Sequence, residues 1–500
     1  MSLKESDMAR TITIRDTTLR DGHQSLWATR MSTAMMLPVA QRLERAGVDS
    51  VDVMAHVIMD SAVRFAKDNP WDRVRILRKL MPSPVMAGYS AGKVAWGFRL
   101  SPSDILELCT ELTIKSGVNM ITAMNGLIDL DMMVDQLKQA KALGAKTAAA
   151  LVYSISPVHT DALYEAKARE IIERADVDYI MLKDAGGLIT PDRAASLVDA
   201  VRRGTGDKKL TFHSHSMTGM AGRVYMIGVD HGVDDLQCSI WPLAQGSAQP
   251  STQMIVKNLR SKGYVLNIDD EQVEAASQHL LGVARRHGFP VGAPVEYDDS
   301  HYDHQIPGGM LSNLRSQLAS ANLLDRFEEL IAEIKIVRAE LGWPTMVTPF
   351  SQLVANQALF NVISGKRYGS VPDEVTHYVL GHYGKLLAPV EPNVLDKILS
   401  KSTPDARKAP QELEPALPGL RKRYPNASDE ERFLRYMIPE AAVEDMLREE
   451  AARKANTASF ERDYGPVSGA LVELLGKAAN MTDVAEVNIQ TANMRIRVVR

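Results

Sequence analysis

The chain has 500 residues, of which 45% are hydrophobic and 24% are charged. This composition is near the globular average and excludes a disordered, collagen-like or coiled-coil protein over most of the length, and the length itself predicts two or three domains. Lys and Arg number 58 against 62 Asp and Glu, so the net charge of −4 argues against a partner held mainly through phosphates, such as nucleic acid.

Cysteine usage and the N-terminus indicate a reducing, cytoplasmic setting. Cys109 and Cys238 form no CxxC pair, so neither a disulfide framework nor a thiolate zinc cluster is predicted. Residues 1–10 lack the apolar stretch of a signal peptide, and no charge-free run of about 18 apolar residues follows. We therefore expect a cytoplasmic protein without a membrane segment.

From Thr11 onward, eight β-rich segments alternate with segments of helical period, such as Ser32–Ala46, Leu127–Leu143 and Thr190–Arg203. This alternation predicts right-handed βαβ units, and eight units over roughly 250 residues favour an α/β fold of the (β/α)8 TIM-barrel type. The alternative is a doubly wound sheet, but no GxGxxG follows the first strand. The predicted strands are Thr11–Arg15, Val48–Ala55, Val85–Ser90, Val118–Asn125, Lys146–Ile155, Val177–Asp184, Leu210–Met217 and Val233–Ile240.

Beyond about residue 262 the alternation stops and helical patterns dominate. We therefore divide the chain into a barrel domain, residues 10–300, and a mostly helical domain, residues 301–480. The Pro- and charge-rich stretch 402–418 is typical of an extended connector. Residues 484–500 alternate in polarity, which predicts a terminal strand or hairpin.

Several polar residues fall at the carboxyl ends of the predicted strands, where barrel enzymes carry their chemistry. His213 and His215 are two residues apart on one strand, so both imidazoles face the same side and can reach one metal ion. Asp21, after the first strand, could add an oxygen ligand for zinc, cobalt or manganese. The alternatives are hydrogen-bonded histidines at the barrel mouth and a turn or cap aspartate.

Lys183 ends the sixth strand, and its ammonium would be repelled by a neighbouring metal. It would have to act as a deprotonated general-base or Schiff-base lysine, or be converted by carbon dioxide into an anionic carbamate. A surface ion pair with Asp184 is the alternative.

Three further residues have side chains suited to substrate binding or proton transfer. Arg20 and Gln24 flank Asp21 and could hydrogen-bond a substrate carboxylate or carbonyl. Thr348 could relay a proton, although its position before Pro349 also suits a helix N-cap.

Seven motifs occur in an order that matches one enzyme family and cover roughly residues 10–370. They are RDTTLRDGHQSLWATRM (15–31), RFAKDNPWDRVR (64–75), YSISPVHT (153–160), LKDAGG, HSHSMTG, IPGGMLSNL (306–314) and VTPFSQLVANQALFNVISG (347–365). With them the chain resembles the carboxyltransferase family of biotin-dependent enzymes, which includes pyruvate carboxylase, the oxaloacetate decarboxylase α subunit and the pyruvate-side subunit of transcarboxylase.

The resemblance implies a barrel followed by a helical funnel, with a metal held by Asp21, His213, His215 and a carbamylated Lys183. The family chemistry releases carbon dioxide from carboxybiotin in a shielded pocket and lets an enolate attack it. The metal would polarise the acceptor oxygen and stabilise that enolate.

The resemblance also assigns roles to the residues around the ion. Arg20 and Gln24 would help to bind the acceptor, and Thr348 would shuttle a proton between biotin and the acceptor carbon.

The acceptor pocket departs from the family pattern. The Arg-Gly after the third strand is replaced by Ala91-Gly92-Lys93, and the second strand is followed by a stretch that contains His56. Losing a charge-assisted bond to a carboxylate costs about 1.5–3 kcal/mol, so pyruvate itself is in question. We expect a remodelled pocket for a small enolisable acceptor, a 2-oxo acid such as pyruvate or oxaloacetate or a related compound. Its predicted lining is His56, Ala91, Lys93, Thr122, Asn125 and Trp241.

No Ala-Met-Lys-Met biotinylation motif and no glycine-rich ATP site occur in the sequence. The resemblance therefore implies a carboxyltransferase subunit that needs a separate biotin carboxyl carrier protein and a biotin carboxylase subunit, and it suggests a homodimer.

Two rival functions stay open. DTTLRDG and HSH also suit biotin-independent acyl-CoA lyases and condensing enzymes of the isopropylmalate synthase and hydroxymethylglutaryl-CoA lyase group, although Lys183 and the IPGG and VTPFSQ segments argue against them. A non-catalytic scaffold of a biotin-carrier complex is the second rival.

Overall fold

In a computed structural model of the chain, eight parallel strands close into a barrel in the order β1 to β8. The structure describes residues 11–94, 99–306, 308–464, 486–490 and 495–499. The predicted barrel is confirmed. The strands are β1 Thr13–Asp16, β2 Ser50–Ala55, β3 Val85–Ser90, β4 Met120–Met124, β5 Lys146–Val152, β6 Tyr179–Asp184, β7 Lys209–Ser214 and β8 Asp235–Cys238.

The strands are buried along nearly their whole length, as expected for parallel strands covered by helices outside and by side chains inside. Three consecutive small residues, Ala148 to Ala150, are fully buried in β5. The barrel closes where β1 pairs with β8, with Asp16 opposite Cys238.

Helices surround the barrel, and several begin with the expected caps. Thr190 accepts a hydrogen bond from the Arg193 backbone N–H, with Pro191 in the first turn of its helix. The helices are α1 His23–Leu26, α2 Thr33–Ala46, α3 His56–Ser61, α4 Pro70–Leu80, α5 Ser103–Lys115, α6 Val134–Ala142, α7 Asp161–Ala175, α8 Pro191–Thr205, α9 Ala221–Asp230, α10 Thr252–Ser261 and α11 Asp270–His287. Short π-helical turns span Thr18–Gly22 and Ala62–Ala66, and short 3₁₀ turns span Gly92–Val94 and Leu130–Met132.

The continuous helix expected over Leu127–Leu143 is wrong. A 3₁₀ turn occupies Leu130–Met132, and α6 begins only at Val134. The Asp129 side chain accepts a hydrogen bond from the Asp131 N–H at the start of that turn, which offers the backbone a local alternative to the α-helix.

The second region is mostly helical, and part of it covers the loops after β3, β4 and β5. Its apolar core includes Val94, Leu127 and Val152 from the barrel. Residues 402–416 contain no helix or strand, and α18 begins at Leu417, inside the stretch 402–418 expected to be a connector. The helices are α12 Ser300–His304, α13 Gly308–Ser320, α14 Phe327–Glu340, α15 Phe350–Ser364, α16 Asp373–Val379, α17 Pro392–Lys401, α18 Leu417–Arg423, α19 Asp429–Met437 and α20 Glu440–Tyr464, with a 3₁₀ turn at Leu324–Arg326.

Helices after the connector pack back onto the barrel layer. Phe433 of α19 meets Trp71 of α4 edge to face at 5.6 Å, and Arg75 pairs with Glu430 at 2.7 Å. Within the segment 484–500, β9 (Glu486–Gln490) and β10 (Arg495–Val499) pair antiparallel. Of the helices in the described residues, none is long and apolar enough to cross a membrane.

Candidate active site

Three of the four predicted metal ligands converge at the carboxyl end of the barrel. His213 lies in β7, His215 just past its end, and Asp21 in the π-helical turn after β1. The Asp21 Oδ2 atom is 3.5 Å from His213 Nε2 and 3.4 Å from His215 Nε2. One potential ligand atom from each of the three residues lies within 4.8 Å of the other two.

The geometry of this donor set fits a divalent ion. Ligand atoms at 2.0–2.2 Å from a tetrahedral ion stand about 3.4 Å apart, which matches both measured separations. His213 Nδ1 lies 2.5 Å from Gln237 Oε1, and His215 Nδ1 lies 2.5 Å from the Ser247 carbonyl oxygen. Since both partners are oxygen acceptors, each Nδ1 carries the proton and each Nε2 keeps its lone pair for the ion.

Lys183, the fourth predicted ligand, lies beside this donor set. It pairs in register with His213 across β6 and β7, and its Nζ is 3.1 Å from His213 Nε2. The side chain is buried, and burial lowers the pKa of Lys183 to about 8. The amine is therefore held in an environment that disfavours its charged form.

Arg20 sets the electrostatics around Asp21. Its Nη1 is 3.3 Å from Asp21 Oδ2 and its Nη2 is 3.2 Å from Asp52 Oδ2. Burial alone would raise the pKa of Asp21, but Arg20, His215 and His213 outweigh burial and hold that pKa well below its usual range. Asp21 is therefore an ionised carboxylate that can bind a cation.

Below the ligands, the barrel interior is filled by a polar network that the sequence patterns did not single out. Gln237 Nε2 is 3.2 Å from Asp52 Oδ2, and Gln237 Oε1 is 3.1 Å from the Tyr89 hydroxyl. The Tyr89 ring lies 4.0 Å from the Arg20 guanidinium. The available signal was a pair of polar residues two positions apart in each strand, Ser50 and Asp52 in β2 and Asp235 and Gln237 in β8, which places each pair on one face. Gln249, in the loop after β8, also reaches the donor set and had no comparable signal.

On the β3 side of the predicted pocket, the side chains differ in exposure and in their partners. Lys93 is 40% exposed and pairs with Asp135 at 3.6 Å, while Ala91 is half-buried. His56 is half-buried, its Nε2 lies 3.3 Å from Ser90 Oγ, and burial lowers its pKa to about 3. Lys93 is thus engaged by α6.

The remaining predicted pocket residues differ in how far they are engaged elsewhere. Asn125 donates to the Tyr383 carbonyl and accepts from the Leu127 N–H, so its amide ties the β4 loop to the helical region. Trp241 donates from its indole nitrogen to the Gly292 carbonyl. Thr122 is fully buried, and its hydroxyl has no hydrogen-bond partner in the described part of the chain.

Gln24 and Thr348 occupy contrasting environments. Gln24 is half-buried, and its Oε1 is a buried acceptor without a hydrogen-bond partner among the described residues. Thr348 is exposed in the turn before α15, where Pro349 takes the N-cap position. Nearby, the Thr345 hydroxyl donates to the Gly126 carbonyl, which holds this segment against the loop after β4.

Two family models match the chain. Residues 11–280 match the model described as HMGL-like, and residues 302–496 match the model described as a conserved carboxylase domain. The first is consistent with a barrel related to lyases, whereas the second matches the helical region.

Similar proteins of known activity are carboxylase and carboxyltransferase subunits. The chain is 34% identical over 464 residues to a pyruvate carboxylase subunit of Methanocaldococcus jannaschii, covering 91% of this chain and 81% of that protein. It is 33% identical to the 2-oxoglutarate carboxylase large subunit of Hydrogenobacter thermophilus, covering 78% and 60% of the two chains. It is 31% identical to the methylmalonyl-CoA carboxyltransferase 5S subunit of Propionibacterium freudenreichii, covering 79% and 78%.

The solved carboxyl transferase domain of Rhizobium etli pyruvate carboxylase has the same fold. It superposes with a TM-score of 0.81 at 23% identity, covering 98% of this chain and 84% of that one. The relatives and the match of residues 302–496 to a conserved carboxylase domain disfavour a biotin-independent lyase. The chain belongs to the carboxyltransferase family of biotin-dependent carboxylases.

Proposed function

We propose that this carboxyltransferase moves a carboxyl group between carboxybiotin, held on a separate carrier protein, and a small acceptor with an enolisable carbonyl. The observation that supports it most is the meeting of Asp21, His213 and His215 at the barrel mouth, with the proton of each imidazole held on Nδ1 and not on the Nε2 atom that faces Asp21. Mixed oxygen and nitrogen ligands suit zinc, cobalt or manganese. Such an ion polarises the acceptor carbonyl and stabilises enolate charge.

We propose that Lys183 completes the donor set as a carbamate. The buried amine has a lowered pKa, which increases the neutral fraction that reacts with carbon dioxide. The product is an anionic oxygen donor next to His213, whose Nε2 is 3.1 Å from the present Nζ. This exchange replaces a repelled cation with a ligand.

Arg20 and Gln24 are proposed to bind the acceptor. Both terminal nitrogens of Arg20 already contact Asp21 and Asp52, and its buried Nε has no hydrogen-bond partner among the described residues. The guanidinium has five N–H groups, so the Nε–H and the second hydrogen of each terminal nitrogen remain for a substrate oxygen. The Gln24 Oε1 atom is suited to a substrate donor. A substrate carboxylate would share the guanidinium with Asp21 and Asp52, whose negative charges repel it, whereas a neutral carbonyl would meet no such repulsion.

Thr348 is proposed to transfer the proton between biotin and the acceptor carbon. It is exposed in a segment held against the β4 loop, where a carrier-borne biotin can approach from solvent. Thr348→Ala should lower carboxyl transfer and leave metal content unchanged.

Partners follow from the same proposal. The chain would work with a biotin carboxyl carrier protein and a biotin carboxylase subunit in the cytoplasm, and we expect a homodimer. The names of the relatives, which include subunits of pyruvate and 2-oxoglutarate carboxylases, support a shared division of labour.

The test is isotope exchange with the purified chain. Labelled carboxybiotin is offered with pyruvate, 2-oxoglutarate and neutral ketones of similar size, with and without added zinc, cobalt or manganese. We expect transfer that depends on biotin and on the metal. The affinity for pyruvate should be about 10- to 100-fold lower than a forked contact with an arginine would give. Acyl-CoA cleavage without biotin, or no transfer to any acceptor by metal-loaded protein, contradicts the proposal.

A further inference from the structure

Gln249 lies against the metal donor set, although it is none of the predicted ligands. Its side-chain Nε2 is 2.7 Å from Asp21 Oδ2, 3.0 Å from His215 Nε2 and 3.4 Å from His213 Nε2. The residue is fully buried, so these contacts are made without competition from bulk water. Every one of the three potential ligand atoms is thus within reach of one amide nitrogen.

The other end of the amide fixes its orientation. Gln249 Oε1 lies 2.8 Å from the Thr17 hydroxyl and 3.2 Å from the Ser239 hydroxyl, and these two hydroxyls are 2.6 Å apart. An amide oxygen only accepts, and hydroxyls can donate to it. A reversed amide would place its oxygen against the Asp21 carboxylate, where two acceptors would face each other.

The two hydroxyls lie next to the junction of β1 and β8, where the barrel closes. Thr17 follows β1 and donates its backbone N–H to the Cys238 carbonyl at the end of β8, and Ser239 is the next residue after Cys238. Gln249 therefore connects this rigid strand junction to Asp21, which lies on a turn outside any strand.

We propose that Gln249 is a positioning residue of the metal centre, holding the Asp21 carboxylate in its ligand orientation through the Thr17 and Ser239 hydroxyls. This inference rests on the proposed metal-dependent function and extends it to a residue that does not itself bind the ion. A carboxylate oxygen can accept from Gln249 and still offer another lone pair to a cation. The amide can thus stay on Asp21 when an ion binds, whereas His213 Nε2 and His215 Nε2, each with a single lone pair, exchange their contact with Gln249 for the ion.

The experiment measures divalent-metal affinity directly, by competition of zinc and manganese against a chromogenic chelator. Losing an outer partner of a metal ligand typically costs 10–100-fold in affinity, so Gln249→Leu should weaken metal binding by about that factor. Thr17→Val, which removes one hydroxyl from Oε1, should weaken binding in the same direction by a smaller factor. Gln136→Leu is the matched control, because Gln136 is a buried glutamine that donates to Thr110 between α5 and α6.

The outcomes distinguish a failure of the metal centre from a failure of the positioning role of Gln249. Wild-type protein that binds one ion per chain, with unchanged affinity in Gln249→Leu, overturns the role of Gln249 alone. Wild-type protein that binds no divalent ion overturns the metal centre and this inference together. Equal weakening in Gln249→Leu and Gln136→Leu also overturns the inference, because a general loss of packing would then explain both. Weakening confined to Gln249→Leu and Thr17→Val, with circular dichroism unchanged, supports it.

Discussion

Asp52 offers a test of how much the buried network beneath the donor set contributes to stability. Asp52→Asn keeps the side-chain volume and removes the negative charge that Arg20 Nη2 contacts at 3.2 Å. The Asp52 side chain is 0% exposed and that of Arg20 is 5% exposed, so water cannot replace the lost partner. Breaking a buried ion pair costs about 3–5 kcal/mol. Because Arg20 keeps Asp21 at 3.3 Å, we expect a loss of about 3 kcal/mol in the free energy of unfolding.

Asp60→Asn in the neighbouring helix α3 is the control. Asp60 contacts Arg64 at 2.7 Å, which is shorter than the Asp52 contact, but the two side chains are 34% and 41% exposed. Exposed pairs contribute about 0–1 kcal/mol because water screens them. Urea unfolding followed by circular dichroism measures both variants. A loss below about 1 kcal/mol for Asp52→Asn, or equal losses for the two variants, would refute the reasoning that burial decides the outcome.

Three further outcomes follow from single sites. Protein equilibrated with ¹³C-labelled bicarbonate should give a carbamate carbon signal that Lys183→Ala lacks, and wild-type protein without the signal would contradict carbamylation. Gly204→Ala should cost about 1–3 kcal/mol, because its Cβ would lie 2.3 Å from the Glu165 carbonyl oxygen. Gly282→Ala, with only the tip of a flexible arginine side chain within 4 Å, should gain about 0.5–1 kcal/mol in the same urea unfolding assay, and the reverse order of stabilities would contradict the packing. Burial raises the pKa of Asp16 to about 7, so the folded state retains a proton that the unfolded state loses near pH 4. Stability from this group therefore falls between about pH 4 and pH 7, and urea midpoints at pH 5 and pH 8 should differ less in Asp16→Asn than in wild type.

Sequence patterns predicted the barrel because each strand is a short β-rich run between helical segments, and all eight were found. They overestimated strand ends such as Ile155, because β-propensity continues past the point where the chain leaves the ladder. The HxH spacing and Asp21 predicted the donor set, since two residues on one strand share a face whatever the barrel geometry.

The polar network beneath the donor set could not be predicted from the sequence, for a physical reason. The spacing of Asp52 and Gln237 along their strands indicates which face they share but does not reveal their partners, because these are set by how strands from distant parts of the chain close together. Lys93 was expected in the pocket, but the chain turns sharply there. Gly92 has a φ of +58°, and a Cβ at that position would lie 2.1 Å from the Met132 carbonyl oxygen. Only glycine permits this close approach. The next residue after this turn is Lys93, which pairs with Asp135.

The most direct test of the metal centre is anomalous diffraction from crystals of the protein loaded with zinc or manganese. We expect one anomalous peak about 2.0–2.2 Å from Asp21 Oδ2 and from the Nε2 atoms of His213 and His215. Crystals soaked to saturation that show no peak between these three residues, or a peak bound elsewhere in the chain, would contradict it.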